Sequence, residues 1–465
     1  MSPLVYTAIY GLGVLGLFFL NWDRKAKTSP ALWLPVIWVC IGGSRMVSQW
    51  LDASTGKTLD PEQYLEGNPL DRVFLTALLV LAVLILMGRW RKLLPVLKAN
   101  WPVMVFFLYC LISVSWSEFS DVAFKRWIKS LSDLAMVLLI LTENNRTAAI
   151  KRFTARAALI LIPSSIVLIK YYPDLGRTYD RWEGTMALTG VATDKNMLGL
   201  VCMVFGIGTV WRFLVALQME GGWNKKGGPL LAESVLLGMT GWLLYKANSM
   251  TSISCFVFGS ALMFVTCFPS LARRRWLIHV MVVGTLATSI SALFLHFGSG
   301  LVETVGRNST LTGRTDLWQH LFEMDTSPML GTGFGSFWLG PRIQKLWAIY
   351  WWHPNESHNG YIENYLNLGW TGLLFLGIVF ASGYRNVLNM LRREREVGQL
   401  CLAYFVAGLA YNFTEAGFRT MNLIWIVFLL AIATVPRLQS KNPEVVKTKL
   451  RAKLPERAVL REEMA

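Results

Sequence analysis

The 465-residue chain is 54% hydrophobic and 16% charged, with a mean hydropathy of +0.42. A soluble chain of this length would form about three domains of roughly 150 residues with a more charged surface, and this composition excludes that class. The formal charge of +16 does not call for a nucleic-acid partner, because the cations fall between apolar runs, where membrane insertion and anionic headgroups place them.

Windows of about 17–25 apolar residues, enough to cross a hydrocarbon core of about 30 Å as a helix, recur along the chain. About thirteen are predicted, at residues 3–20, 31–48, 73–88, 101–115, 128–142, 157–172, 196–212, 230–247, 251–268, 276–297, 366–384, 399–412 and 421–435. The first lacks a basic n-region and a small-residue cleavage pattern, so it reads as a retained helix. Alternate connections are basic: Arg24/Lys25/Lys27, Arg89/Arg91/Lys92/Lys98, Arg146/Lys151/Arg152/Arg156, Arg212/Lys225/Lys226, Arg273/Arg274/Arg275, Arg385/Arg392/Arg393/Arg395 and the tail from Arg437 to Arg461. That asymmetry puts the N-terminus outside and the tail in the cytoplasm. The predicted fold class is an all-α polytopic membrane protein of about 12–13 transmembrane helices, one bundle with no soluble domain of its own. Cys40, Cys110, Cys202, Cys255, Cys267 and Cys401 fall in or at the ends of apolar spans, which argues against a disulfide framework or a thiolate metal site.

Two exterior segments break the rhythm of short loops: residues 171–196 and a long one at about 298–365. The second is too aromatic for disorder, and segments of this length are usually functional. Within it, GRTDLWQHLFEMD sets Leu317 with Leu321 and Trp318 with Phe322 at i,i+4, predicting an amphipathic helix lying on the membrane face. SPMLGTGFGSF reads as turns; its GTGFG lacks the strand and the Lys-Ser/Thr ending of a phosphate loop. The tail after Pro436 is basic and polar, disordered or bound to the inner leaflet.

The exterior face carries Arg177, Arg181 and Lys195 on one segment, Arg307, Arg314, Arg342, Lys345, His353 and His358 on the other, and Glu415 and Arg419 in the turn NFTEAGFRT. Arginine presents a planar fork suited to paired phosphate oxygens, so a lipid diphosphate at the outer leaflet is a natural ligand for several at once. The bland alternative is an ion pair with a neighbouring carboxylate, as between Arg314 and Asp316, or Arg177 and Asp174 or Asp180. His358 is either a cap of the helix from about 361 or a base that takes a proton from an acceptor hydroxyl, with the positive helix end favouring its neutral form. His279 and His296 lie in an apolar span and are expected packed and neutral, while His320 shows no partner; Asp133 is an intramembrane carboxylate, either functional or paired between helices. No DxD-type pair or His/Cys cluster asks for a metal.

His358 and Asn359 are followed by nine residues and then Gly369 and Gly372 in HNGYIENYLNLGWTG. This resembles the H-[NSQ]-x9-G-x-x-G signature of the bacterial O-antigen ligase and O-antigen polymerase superfamily. GRTDLW, SPMLGTGFGSF and GVATDKNMLG resemble three further segments of it, the last in the manner of its exopolysaccharide-production members. The resemblance spans roughly residues 170–380. It implies a metal-independent glycosyltransferase of GT-C type with no cofactor, which moves a saccharide from an undecaprenyl-diphosphate carrier to lipid A core, a growing glycan or another hydroxyl. The implied setting is the periplasmic face of the inner membrane, with envelope polysaccharide assembly proteins as possible partners. Carried residue by residue, it makes His358, Arg314 and Glu415 the catalytic set and aligns Arg177, Arg181 and Lys195 with a basic exterior loop; these three, with the exterior Arg419, are the expected diphosphate-binding set. The expected organisation is N-terminal helices in 1–170, a ligase/polymerase-like core in 171–385 with a loop at 298–365, C-terminal helices in 386–436 and a tail in 437–465. Two residues depart from the pattern. Met250 stands where a cation is common, and Leu373 follows Gly372 without the Thr-x-x-Asp of some ligases, which weakens the ligase reading relative to the polymerase one while both stay open. A lipid-sugar transporter and a non-catalytic assembly partner are the readings from other classes.

Overall fold

In the computed structural model the described residues are 3–20, 27–51, 67–179, 184–219, 223–268, 274–294, 312–324 and 326–436. Arg181, His296, Arg307 and the basic tail lie outside them. The described residues up to Thr434 form one compact unit. In chain order the helices are α1 (Pro3–Leu20), α2 (Trp33–Gly42), α3 (Val47–Leu51), α4 (Pro69–Gly88), α5 (Trp90–Ala99), α6 (Trp101–Ile112), α7 (Ser120–Leu141), α8 (Arg146–Tyr171), α9 (Pro173–Gly176), α10 (Lys195–Gln218), α11 (Trp223–Ala247), α12 (Met250–Thr266), α13 (Arg275–Phe294), α14 (Thr312–Glu323), α15 (Gly340–Ile349), α16 (Gly360–Arg393), α17 (Arg395–Tyr411) and α18 (Leu423–Ile432).

The chain is an all-α polytopic membrane protein, and every predicted apolar window overlaps a helix. Among the described residues five helices, α4, α8, α10, α11 and α16, are each long and apolar enough to cross a membrane, and α5 with α6, bent by 86°, would make a sixth as one broken span. Helix starts follow local chemistry. Asn68 accepts from Leu70 N, Asn145 from Ala148 N, Asp194 from Asn196 N and Met197 N, and Asn422 from Ile424 N, each side chain satisfying donors that the first turn leaves without partners. All of α18 and nearly all of α17 are buried, so these two helices run through the middle of the unit. Arg212, read from sequence as part of a cytoplasmic connection, is instead buried and bidentate with Glu233 of α11 at 2.7 and 2.9 Å. Removing water from both charges is costly, and the two-point geometry offsets that cost. The segment 171–196 contains a small antiparallel hairpin, β1 (Arg177–Tyr179) with β2 (Met186–Leu188), in the register Arg177↔Leu188.

The feature that positions the site is a break in α16. Gly369 has φ 65° and ψ −167°, so the helix stops and restarts there. The freed backbone groups are met from elsewhere. Leu366 O accepts from Thr332 N at 3.1 Å, Asn367 O from Gly333 N at 2.9 Å and Leu368 O from the Tyr109 hydroxyl at 2.9 Å, while Trp370 N donates to Pro328 O at 2.9 Å. The turn SPMLGTGFGSF is therefore a plug for the break, and it fits only because both sides are glycine. A Cβ on Gly369 would lie 2.3 Å from Met329 C, and one on Gly331, also at positive φ, 2.4 Å from Asn367 C.

The rest of the long segment packs over the first half of α16. Leu317, Trp318 and Leu321 of α14, Phe337 and Trp338, Ile343 and Leu346 of α15, and Leu366 make one hydrophobic cluster. Leu317, Trp318 and Leu321, expected on the membrane face, are instead packed against α15 and the first half of α16, while Phe322 of the same helix remains 54% exposed. The tryptophans divide accordingly, with Trp318 and Trp338 buried and Trp351 63% exposed. His320, expected alone, places Nδ1 2.9 Å from the Tyr350 hydroxyl, and His279, expected packed, is exposed and lies 2.6 Å from the Tyr384 hydroxyl.

Gly369→Ala is expected to cost roughly 3 kcal/mol or more, because it combines left-handed strain with a backbone clash. Thermal unfolding of the purified protein measures this, and a melting temperature equal to the parent's would refute the plug.

Candidate functional site

His358 sits at φ 52° on the residue before the N-cap of α16. The cap itself is Asn359, whose Oδ1 accepts from Tyr361 N at 2.9 Å and Ile362 N at 3.1 Å and whose Nδ2 donates to Phe413 O at 3.0 Å. The capping alternative for His358 is thereby removed, and its ring is left for other partners. Its backbone is held by its neighbours: Trp318 Nε1 donates to Ser357 O at 2.7 Å, and Ser357 N donates to Glu363 Oε2 at 3.2 Å.

Nδ1 of His358 lies 3.0 Å from Glu356 Oε1 and 3.5 Å from Glu415 Oε2, distances of ion pairs, with neither carboxylate aligned for a hydrogen bond. Nε2 has no protein partner among the described residues, and the side chain is 25% exposed. Arg419 Nη1 pairs with Glu356 Oε2, and Arg314 Nη2 lies 3.3 Å from Glu415 Oε1 while its Nη1 donates to Thr414 O. Asn196 Nδ2, at the start of α10, reaches Glu415 Oε1 at 3.5 Å. Two carboxylates and three cations thus interlock. Arg314 pairs with Glu415 and not with Asp316, whose Oδ2 accepts from the Tyr350 hydroxyl at 2.9 Å.

Electrostatics decides the protonation state. Burial favours a neutral imidazole, but Glu356 and then Glu415 outweigh it and raise the His358 pKa to about 9. Burial likewise opposes the Glu356 charge, yet Arg419, His358 and Arg314 hold its pKa at about 2. The expectation of a neutral His358 is therefore corrected: the influence of the helix end is weaker than two carboxylates in contact, and the ring is an imidazolium at neutral pH.

The turn carrying Glu415 and Arg419 is fixed from two sides. Asn412 Oδ1 accepts from Gly417 N and Phe418 N, both at 2.8 Å. Fully buried Asp133 of α7 accepts from Met421 N at 2.9 Å and from Trp38 Nε1 at 2.7 Å. The intramembrane carboxylate is thus a tie between helices and the site turn.

The structure brings together His358, Arg314, Glu415 and Arg419, with Lys195 next to Asn196 at the margin. Arg177 is elsewhere, donating from Nε to Ile169 O at 2.9 Å, and Arg342 is bidentate with Glu118 at 2.9 and 3.1 Å. Glu356 was missed from sequence, although Glu-x-His two residues before the ring was a visible signal. Glu356, His358 and Glu415 offer three donor atoms within 4.8 Å, the composition of a divalent-metal site. An ion there would have to displace the ring proton and the pairing with Arg314 and Arg419.

A helical bundle that crosses the membrane several times, with a charged His–carboxylate–Arg cluster at one end, is the class this chain defines. Residues 228–377 match the family model of O-antigen ligase. The chain is 24% identical over 365 residues, 75% of this chain and 80% of the other, to the exopolysaccharide production protein ExoQ of Rhizobium meliloti (strain 1021). The two matches support an O-antigen-ligase-like family, a role in polysaccharide biosynthesis and, broadly, a glycosyltransferase-type enzyme. The matched region holds Arg314, Glu356 and His358, whereas Glu415 and Arg419 come from beyond it.

The cluster makes stability depend on pH in a defined window. The His358 contribution is complete below its ordinary value of 6.5 and is lost as pH rises through about 9. The Glu356 contribution is complete above its ordinary 4.5 and is lost as pH falls toward about 2. The melting temperature is therefore expected to decline between pH 6.5 and 9, and His358→Gln to flatten that alkaline limb; an unchanged limb in the variant would contradict the pairing.

Proposed function

We propose that this protein transfers a saccharide from an undecaprenyl-diphosphate carrier to a hydroxyl acceptor at the periplasmic face of the bacterial inner membrane. The observation that carries the reading is the His358 cluster, bracketed by Arg314 and Arg419 at the end of the bundle that the Lys/Arg asymmetry assigns to the outside. The similarity to O-antigen ligase and to an exopolysaccharide production protein supports the same chemistry.

In this reaction the acceptor oxygen attacks the anomeric carbon as the bond from that carbon to the phosphate oxygen breaks. The electron pair leaves with the diphosphate. The His358 imidazolium, with Arg314 and Arg419, stabilises the charge that develops on the departing group. The hydroxyl proton is released late, as the anomeric centre becomes cationic, and passes to Glu415, whose Oε2 lies 3.5 Å from the ring. No step asks for a metal.

A polymerase that joins lipid-linked repeat units is the second reading, favoured by the similarity to the exopolysaccharide production protein. Incubation of purified protein with lipid-linked repeat units alone separates the two, since chain growth without another acceptor assigns the polymerase.

His358→Ala and Arg314→Ala are each expected to lower transfer on the order of a hundredfold or more at normal protein abundance; full glycan output from both would refute the assignment. The pH profile reads the role of the ring. A catalytic imidazolium makes activity fall as pH rises through about 9, whereas a catalytic base would make it rise over the same range.

A further inference from the structure

A cavity of about 310 Å³ lies beside the cluster, walled by α6, α7, α16, α18 and the glycine-rich turn. Its lining combines the aromatic side chains Phe106, Phe107 and Trp425 with three cations, Arg126, Lys129 and Arg419. Arg126 and Lys129 stand one turn apart on α7, so both project from the same face. Arg126 donates to Gly335 O, which fixes it against the turn. Lys129 makes no hydrogen bond or ion pair among the described residues.

The carboxylates around these cations are already engaged. Asp133, one turn along α7, bonds Trp38 and Met421, and Asp71 of α4 accepts from Ser48 N at 2.9 Å and Ser48 Oγ at 2.5 Å. Glu363, which also lines the cavity, accepts from Trp338 Nε1 at 2.7 Å and Ser357 N at 3.2 Å. Like charges at i,i+3 on one helix repel, and an anion between them reverses that cost. Arg419 belongs both to this cavity and to the pair with Glu356, so an anion held here borders the His358 cluster.

We propose that Arg126, Lys129 and Arg419 bind the diphosphate of the donor, with the first part of its polyprenyl chain along Phe106, Phe107 and Trp425. This rests on the donor chemistry proposed above and assigns it to residues of α7. Free diphosphate shares that chemistry, so both forms are tested.

Full-length protein in nanodiscs is titrated with inorganic pyrophosphate and, separately, with polyprenyl diphosphate, following tryptophan fluorescence. Lys129→Gln is expected to weaken binding about tenfold or more, and Lys129→Arg to restore it, with parental melting temperatures confirming the fold. Weakening for both ligands supports a diphosphate pocket, and binding of the polyprenyl form alone, weakened by the same variant, supports one specific to the lipid. Parental affinity in Lys129→Gln and Lys129→Glu, or no binding of either ligand by the parent, overturns the pocket. Transfer by His358→Ala in the same preparation keeps the two ideas apart. A transfer-dead His358→Ala beside a binding-neutral Lys129→Gln rejects the pocket alone, and the reverse pattern rejects the catalytic reading alone.

Discussion

The site depends on a helix interrupted where its backbone groups cannot be left to lipid. An unpaired carbonyl or amide in an apolar setting costs several kcal/mol, so a break survives only if other parts of the chain supply partners. Here the glycine-rich turn and Tyr109 do so group by group. One consequence is directional. The nine residues from Gly360 to Leu368 form a short rod whose angle to the rest of α16 is set by the plug, and His358 and its cap Asn359 stand at the far end of that rod. The other is linkage: the turn that fills the break continues into Phe337 and Trp338, which belong to the hydrophobic cluster under α14. Arg314, on the first turn of α14, is carried to Glu415 by that packing.

The cluster illustrates how charge is kept within a largely apolar chain. Every carboxylate at its centre faces a cation, and every guanidinium faces a carboxylate or a carbonyl. The Arg419 side chain remains 50% exposed, so its pair with Glu356 is screened and worth modestly little as a stabiliser. Its value is positional, because an exposed arginine can exchange one oxyanion for another without leaving a charge buried. His358 is more enclosed, and its proton is held against that burial by Glu356 and Glu415.

Much of this was legible in the sequence, and the reasons differ by feature. Apolar windows announce helices because a bilayer imposes one length and one composition, and each window overlaps a helix. The pairing of His358 with the two glycines was visible as spacing, but spacing does not say what glycine is for; the close approaches of Gly369 to Met329 and of Gly331 to Asn367 are contacts across about forty residues of chain. Glu356 escaped because a carboxylate in a loop has no periodicity to betray it. Arg126 and Lys129 escaped because cations at the start of a span look like ordinary interfacial residues until α6 and α18 close a cavity over them. The amphipathic pattern of α14 is real, but three of its four apolar residues pack on protein, since an apolar face does not name its partner.

Asp133 gives the site an asymmetry of motion. Its carboxylate is wholly buried and satisfied by the Met421 amide and the Trp38 indole, so swinging the 412–422 turn outward would strand a carboxylate deep in the bundle. That side of the site is a fixed wall. Glu415 and Arg419 then act as a stationary edge, against which anything bound beside His358 has to be positioned.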